Sequence, residues 1–238
     1  MISGLSKLDI SHLKSGYHYF QGHHLEFDCE PIGEDNNYRY YQIYQKMDQT
    51  NRLLFYPVKV GHVNRAPTSL SLEQVLNFIQ QNGLFSSLAN FAQIIIPIGE
   101  STPIPLFQSY DHMVTLVIDL TSKGVDDFDK PWAKVKIIDS LSIGVPFCHQ
   151  TASIKQLLQK YLTITHFERE YLSHQSVIDL SSCCYFTLKI IQYLLTHRIK
   201  SYQWSNLADL IPKPDTWFGT SYNWLTAEEK NKFQELIL

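Results

Sequence analysis

A chain of 238 residues with 44% hydrophobic content is long enough to bury a substantial core as one globular body. Its formal net charge of -3, with no Lys/Arg cluster interleaved with aromatics, argues against a polyanion-binding surface, so no nucleic-acid partner is expected. The longest uncharged apolar run, IIIPIG at Ile94 to Gly99, falls far short of the roughly 20 residues that cross a bilayer, so no membrane span is expected either.

Cys29, Cys148, Cys183 and Cys184 make neither a CxxC pair nor a regular framework, and such sparing use suits a reducing compartment. The N-terminal MISGLSKLDISHLKSG lacks the charged-then-apolar pattern of a secretory signal, which makes a cytoplasmic protein the expectation. No Cys/His spacing matches a zinc site, His23 and His24 included, so neither a metal nor a cofactor is expected.

Along the chain, residues 1 to about 65 read as irregular, with aromatic-rich strand candidates at Tyr38 to Tyr44 and Leu53 to Val60. A helix follows: Ser71 caps it, Gln74 completes a capping box, Leu72, Val75, Leu76 and Ile79 make one apolar stripe, and Gly83 stops it. Three strands come next, at Gln93 to Ile98, His112 to Leu120 and Val135 to Asp139. The last two are apolar at nearly every residue, as strands buried on both faces are, and a polar loop with Gly124 and Pro131 separates them. A helix from about Ser153 to Leu162 precedes the strongest one, after Ser182, with Cys183, Phe186, Thr187, Ile190, Ile191, Leu194 and Leu195 on its stripe. The C-terminal piece carries Trp204, Trp217 and Trp224, aromatics expected to cover a core and assigned no site.

The chemistry centres on Cys183. A thiol in the first turn of a helix meets free N–H groups and the positive end of the macrodipole, which favour thiolate, and Ser181 and Ser182 are natural N-cap residues just before it. A thiolate nucleophile needs a base, and the base an orienting partner. His112 opens one strand and Asp139 ends another; were those strands neighbours, imidazole and carboxylate would meet. Asp119 competes as the acid, but it lies about 20 Å along the same strand from His112. The alternatives are a buried structural thiol, a strand-end histidine bonded to a loop, and an aspartate that starts a turn with Ser140.

Four blocks in order resemble the ubiquitin-like-specific cysteine proteases of the CE clan (Ulp/SENP type), a clan that also holds bacterial effector deubiquitinases and acetyltransferases. IIIPIG resembles the family's strand before the catalytic His, DHMVTLVIDL its HW(S/T)L strand, VKIIDSLS its YYDSL strand, and SSCCYFTL its nucleophile block. The resemblance covers roughly residues 70 to 200. It implies an α+β, papain-like core with a central mixed sheet flanked by helices, in which Cys183 is the nucleophile, His112 the general base and Asp139 its orienting acid. Phe186, three after Cys183, selects Cys183 over Cys184, the alternative nucleophile. Gln175 is the nearest match to the family's oxyanion-hole Gln, two residues before Val177, where the family spacing falls. Met113 replaces the family's Trp, Cys184 its Gly, and ESTPIPLFQSYD is inserted before the His strand.

The implied activity is cleavage of ubiquitin or a ubiquitin-like modifier such as SUMO or NEDD8 after its C-terminal Gly, through an acyl-enzyme. An effector-type acetyltransferase using the same triad and an inactive modifier-binding protein are the alternatives. The implied organisation is an N-terminal region (1–65) for substrate recognition, a protease core (66–200) and an aromatic-rich extension (201–238). The clan's effectors also suggest delivery into a host cell without a conventional signal peptide.

Overall fold

The computed structural model describes residues 27–31, 40–45, 50–55, 58–61, 70–86, 91–102, 110–120, 124–141, 150–173 and 183–196. In chain order the elements are β1 (Phe27–Pro31), β2 (Tyr40–Gln45), β3 (Thr50–Phe55), β4 (Val58–Val60), α1 (Leu72–Gln81), β5 (Phe91–Thr102), β6 (Tyr110–Asp119), β7 (Trp132–Asp139), α2 (Thr151–Leu158), β8 (Thr163–Tyr171) and α3 (Cys183–Thr196). The strands form one mixed sheet in the order β1-β2-β3-β5-β6-β7-β8, with β4 paired to β5 beside β3. β5, β6 and β7 are antiparallel neighbours at its centre, while β3, β4 and β8 join in parallel.

Both faces of that centre are covered, which is why its strands are apolar almost throughout. On one face Leu53 and Phe55, Ile94, Ile96 and Ile98, Val114, Leu116 and Ile118, and Ala133, Val135 and Ile137 share a buried cluster with Leu72, Val75, Leu76 and Ile79 of α1 and Ile154 and Leu158 of α2. The residues between them, Leu54, Ile95, Met113, Val117 and Ile138, are equally buried but point the other way. α3 lies there: it packs on β6, buries Phe186, Ile190, Ile191 and Leu194, and has its Leu194 carbonyl bonded at 2.9 Å by Arg52, which alternates with Leu53 on β3. Each such aliphatic side chain contributes about 1.5–3 kcal/mol of burial.

α1 forms as its sequence dictates. Ser71 Oγ accepts from Gln74 N at 3.3 Å, Gln74 Oε1 accepts from Ser71 N at 2.8 Å, and Gly83 ends the turn at φ +63°, where a side chain would be strained. Elsewhere the structure corrects the expectations. Residues 27–60, where strands were expected only at Tyr38 to Tyr44 and Leu53 to Val60, supply four strands of the same sheet, and the first of those candidates is β2. The single strand expected over Leu53 to Val60 is two, pairing with successive parts of β5, and Pro57, with no N–H to give a ladder, falls between them. The helix expected to reach Leu162 ends at Leu158, because β8 starts at Thr163, paired with Trp132. β8 itself was not expected: TITHFEREY reads as polar, since one side of this outer strand carries Glu168 and Glu170 in ion pairs with the buried Lys136. No described helix is long and apolar enough to cross a membrane.

Candidate active site

The sheet register brings the first two candidate residues together. β6 and β7 pair from Thr115↔Ile138 to Asp119↔Lys134, so β7 stops where β6 still has residues to run. One step further along the register, Asp139 falls opposite Val114, and His112 lies two residues on, on the same face of the sheet. That diagonal spacing is within reach of long side chains. His112 Nε2 meets Asp139 Oδ1 at 2.7 Å, with both side chains essentially inaccessible to solvent.

Every acceptor direction of Asp139 is used. Oδ1 also accepts from Leu141 N at 2.9 Å, and Oδ2 accepts from Arg169 Nε at 3.0 Å and from Arg169 Nη2. Arg169 on β8 spends its remaining N–H groups on Glu100: Nη1 donates to Oε1 at 2.9 Å and Nη2 to Oε2 at 2.8 Å, while Nη1 also reaches Thr151 Oγ1 at 3.1 Å. The guanidinium thus has five donors and five bonds. It is 4% exposed and Glu100 not at all, so two carboxylates and one permanent cation share a site without water to screen them.

The charges explain the titration behaviour. Burial opposes a charge on Asp139, but the His112 bond, the His112 and Arg169 charges and the Leu141 N–H outweigh it and hold the carboxyl at about 2. Burial likewise opposes charging His112, yet the hydrogen bond to Asp139, the neighbouring Cys183 and the charges of both raise it to about 9. With Arg169 matched to one carboxylate, imidazolium is the form of His112 that balances the other. Burial dominates at Glu100 and pushes its carboxyl up, against the pull of Arg169.

Cys183 begins α3, is 3% exposed and is not in a disulfide. It interacts with His112, whose Nε2 is engaged by the Asp139 carboxylate, so Nδ1 is the ring nitrogen not committed to that carboxylate. A thiol at a helix start, an imidazolium beside it and a carboxylate behind form a chain able to generate a thiolate and later return a proton. Asp119, the competing acid, is at the opposite end of β6, paired with Lys134 and Gln93. Gln175 lies outside the described residues, as do Ser181, Ser182, Cys148 and the C-terminal aromatics, and the Cys184 side chain is not described. Among the described residues no cluster of His, Cys, Asp and Glu could hold a metal ion.

Two residues of the site escaped the sequence reading. Glu100 closes the IIIPIGE run and looks like the first polar residue after a strand; its register partner across β5 and β6 is His112. Arg169 sits on the unexpected β8. Its only sequence signal is alternation with Phe167 and Tyr171, visible once β8 is recognised as a strand.

No family model matches the chain, and no curated protein does. Solved structures are similar. The Legionella pneumophila effector protein RavZ matches 100% of this chain at a TM-score of 0.58 and 17% identity. RavZ in complex with human LC3B matches 99% of it at 0.53 and 16%. The present chain spans 63% and 59% of those two RavZ chains. A weaker likeness, TM-score 0.35 at 16% identity over 70% of this chain and 64% of the other, is to the SUMO protease Ulp1. At these identities the likeness bears on the fold alone, and the fold is α+β, with the central mixed sheet flanked by helices that the sequence led us to expect.

Proposed function

We propose that this protein is a cysteine protease that cleaves a ubiquitin-like modifier after its C-terminal Gly. The observation that carries the reading is the buried 2.7 Å contact of His112 Nε2 with Asp139 Oδ1, on an imidazole that also interacts with Cys183 at the start of α3. In this mechanism the Cys183 thiolate attacks the scissile carbonyl and the His112 imidazolium protonates the departing amine, giving a thioester. Neutral His112 then takes a proton from water, whose oxygen attacks the thioester carbon and releases the Cys183 thiolate and the new carboxylic acid, which loses its proton to solvent. Asp139 keeps the ring oriented throughout. The Cys183 backbone N–H, together with Gln175, is assigned to the oxyanion, each such donor being worth about 3 kcal/mol.

For the substrate, the resemblance of the sequence blocks points to ubiquitin, SUMO and NEDD8. The complex of RavZ with human LC3B adds LC3-type modifiers to that class. The similarity to a bacterial effector supports action inside a host cell. The test is incubation of the purified protein with precursors of ubiquitin, SUMO, NEDD8 and LC3B carrying C-terminal extensions, read by intact mass. Cleavage after the Gly, lost in Cys183→Ala and weakened in Gln175→Ala, supports the reading; intact precursors with every modifier from folded protein contradict it.

A further inference from the structure

We propose that Arg169 is a positioning residue for the His112 and Asp139 pair: it aims Asp139 at the imidazole and, by clasping Glu100, keeps a second carboxylate from taking Asp139's place. The inference rests on the protease reading for its catalytic meaning, and on the geometry of β5 to β8 for its content.

Glu100 is the residue directly opposite His112 in the β5–β6 register, closer in the ladder than Asp139, which reaches the ring on a diagonal. A fully buried carboxylate beside an imidazolium is the natural partner for it. Glu100 instead gives one oxygen each to Nη1 and Nη2 of Arg169, the bidentate fork that a guanidinium makes and an ammonium does not. The same Arg169 places Nε and Nη2 on Oδ2 of Asp139, which turns Oδ1 toward His112 and the Leu141 N–H. The group is closed on each side: Glu100 on β5, His112 on β6, Asp139 on β7, Arg169 and Tyr171 on β8, Thr151 on α2 and Cys183 on α3, with the guanidinium carbon 5.6 Å from the Tyr171 ring centre. Without Arg169, two buried carboxylates share one imidazolium, an arrangement in which one of them takes up a proton.

The test is the pH profile of Cys183 alkylation by iodoacetamide, located by peptide mapping, in the full chain and in Arg169→Ala, Arg169→Lys and Arg169→Ala/Glu100→Gln, with circular dichroism on each. In Arg169→Ala the acid limb of the profile moves up by about one to three pH units, the range by which an adjacent Arg lowers a carboxylate. Arg169→Lys, charged but without the fork, moves it less. Removing the competing carboxylate together with the cation, in the double variant, returns the neutral-pH rate toward that of the parent. A folded Arg169→Ala with the parent's profile, or a double variant no better than Arg169→Ala, overturns the proposal. Should Arg169→Ala fail to fold, an unshifted Arg169→Lys profile overturns it as well.

A parent that alkylates like an ordinary thiol, with no reactive plateau at acid pH, contradicts the protease reading. The positioning role is then read from the His112 titration by NMR in labelled protein. That titration must change in Arg169→Lys and recover in the double variant; an unchanged curve overturns the positioning proposal independently.

Discussion

Glu100 and His112 face each other across the β5–β6 ladder, yet the carboxylate that His112 bonds is Asp139, from the next strand. The choice between two buried carboxylates is made on β8, where Arg169 binds both and leaves one oxygen of Asp139 for the imidazole. The outer strand of the sheet, with no reacting group of its own, thereby sets the state of the ring at the centre.

Replacing Asp139 by Asn keeps the shape but removes the charge that balances His112. Two Arg169 donors then face a neutral carbonyl or an amide, and the His112 ring loses its anionic acceptor. Turnover of the modifier precursor falls by about 10³ to 10⁴. Stability falls by about 3–5 kcal/mol, the cost of breaking a buried pair. Urea denaturation and turnover on the same preparation check both.

The pH dependence has a defined sign at each end. His112 is raised from 6.5 to about 9, so its contribution to stability is complete below 6.5 and is lost as pH rises through about 9. Asp139 is lowered from 3.8 to about 2, so its contribution is complete above 3.8 and is lost as pH falls through about 2. The alkaline limb of Cys183 reactivity should be that of an unpaired thiolate only above about 9, where the imidazolium is gone. Melting temperatures across the pH range and the alkylation profile read these limits separately. A His112 that titrates near its ordinary value would remove the ion pair from the mechanism.

Ser71→Ala serves as the control for fold without function. It removes the side-chain acceptor for Gln74 N at the start of α1, which lies on the face of the sheet away from α3. The expected loss is about 1 kcal/mol of stability with the Cys183 alkylation rate unchanged in the folded protein. A change in that rate would show that α1 is coupled to the site.

The parts that were legible in the sequence are those whose signal is local or strictly periodic. Ser71, Gln74 and Gly83 spell a helix start and stop, the near-continuous apolar runs of His112 to Leu120 and Val135 to Asp139 mark strands covered on both sides, and the stripe from Cys183 to Leu194 marks α3. His112, Asp139 and Cys183 stood out because strand ends and a helix start are where chemistry is placed. What was not legible depends on partners distant in sequence. β8 looks polar because Lys136 pairs its glutamates and Asp139 and Glu100 pair its arginine, from strands 30 to 69 residues away in the chain. Of the N-terminal strands, β2, β3 and β4 fall on the aromatic-rich candidates, whereas β1 (FDCEP) shows no such pattern and joins the sheet by pairing with β2.

The most direct measurement is covalent capture: the full chain, Cys183→Ala and Cys184→Ala, each incubated with ubiquitin, SUMO, NEDD8 and LC3B carrying a C-terminal electrophile in place of the last carbonyl. The expected result is one adduct at Cys183 with at least one modifier, present in Cys184→Ala and absent from Cys183→Ala. An adduct that survives Cys183→Ala, or no adduct with any modifier from folded protein, would contradict the assignment of Cys183 as a protease nucleophile.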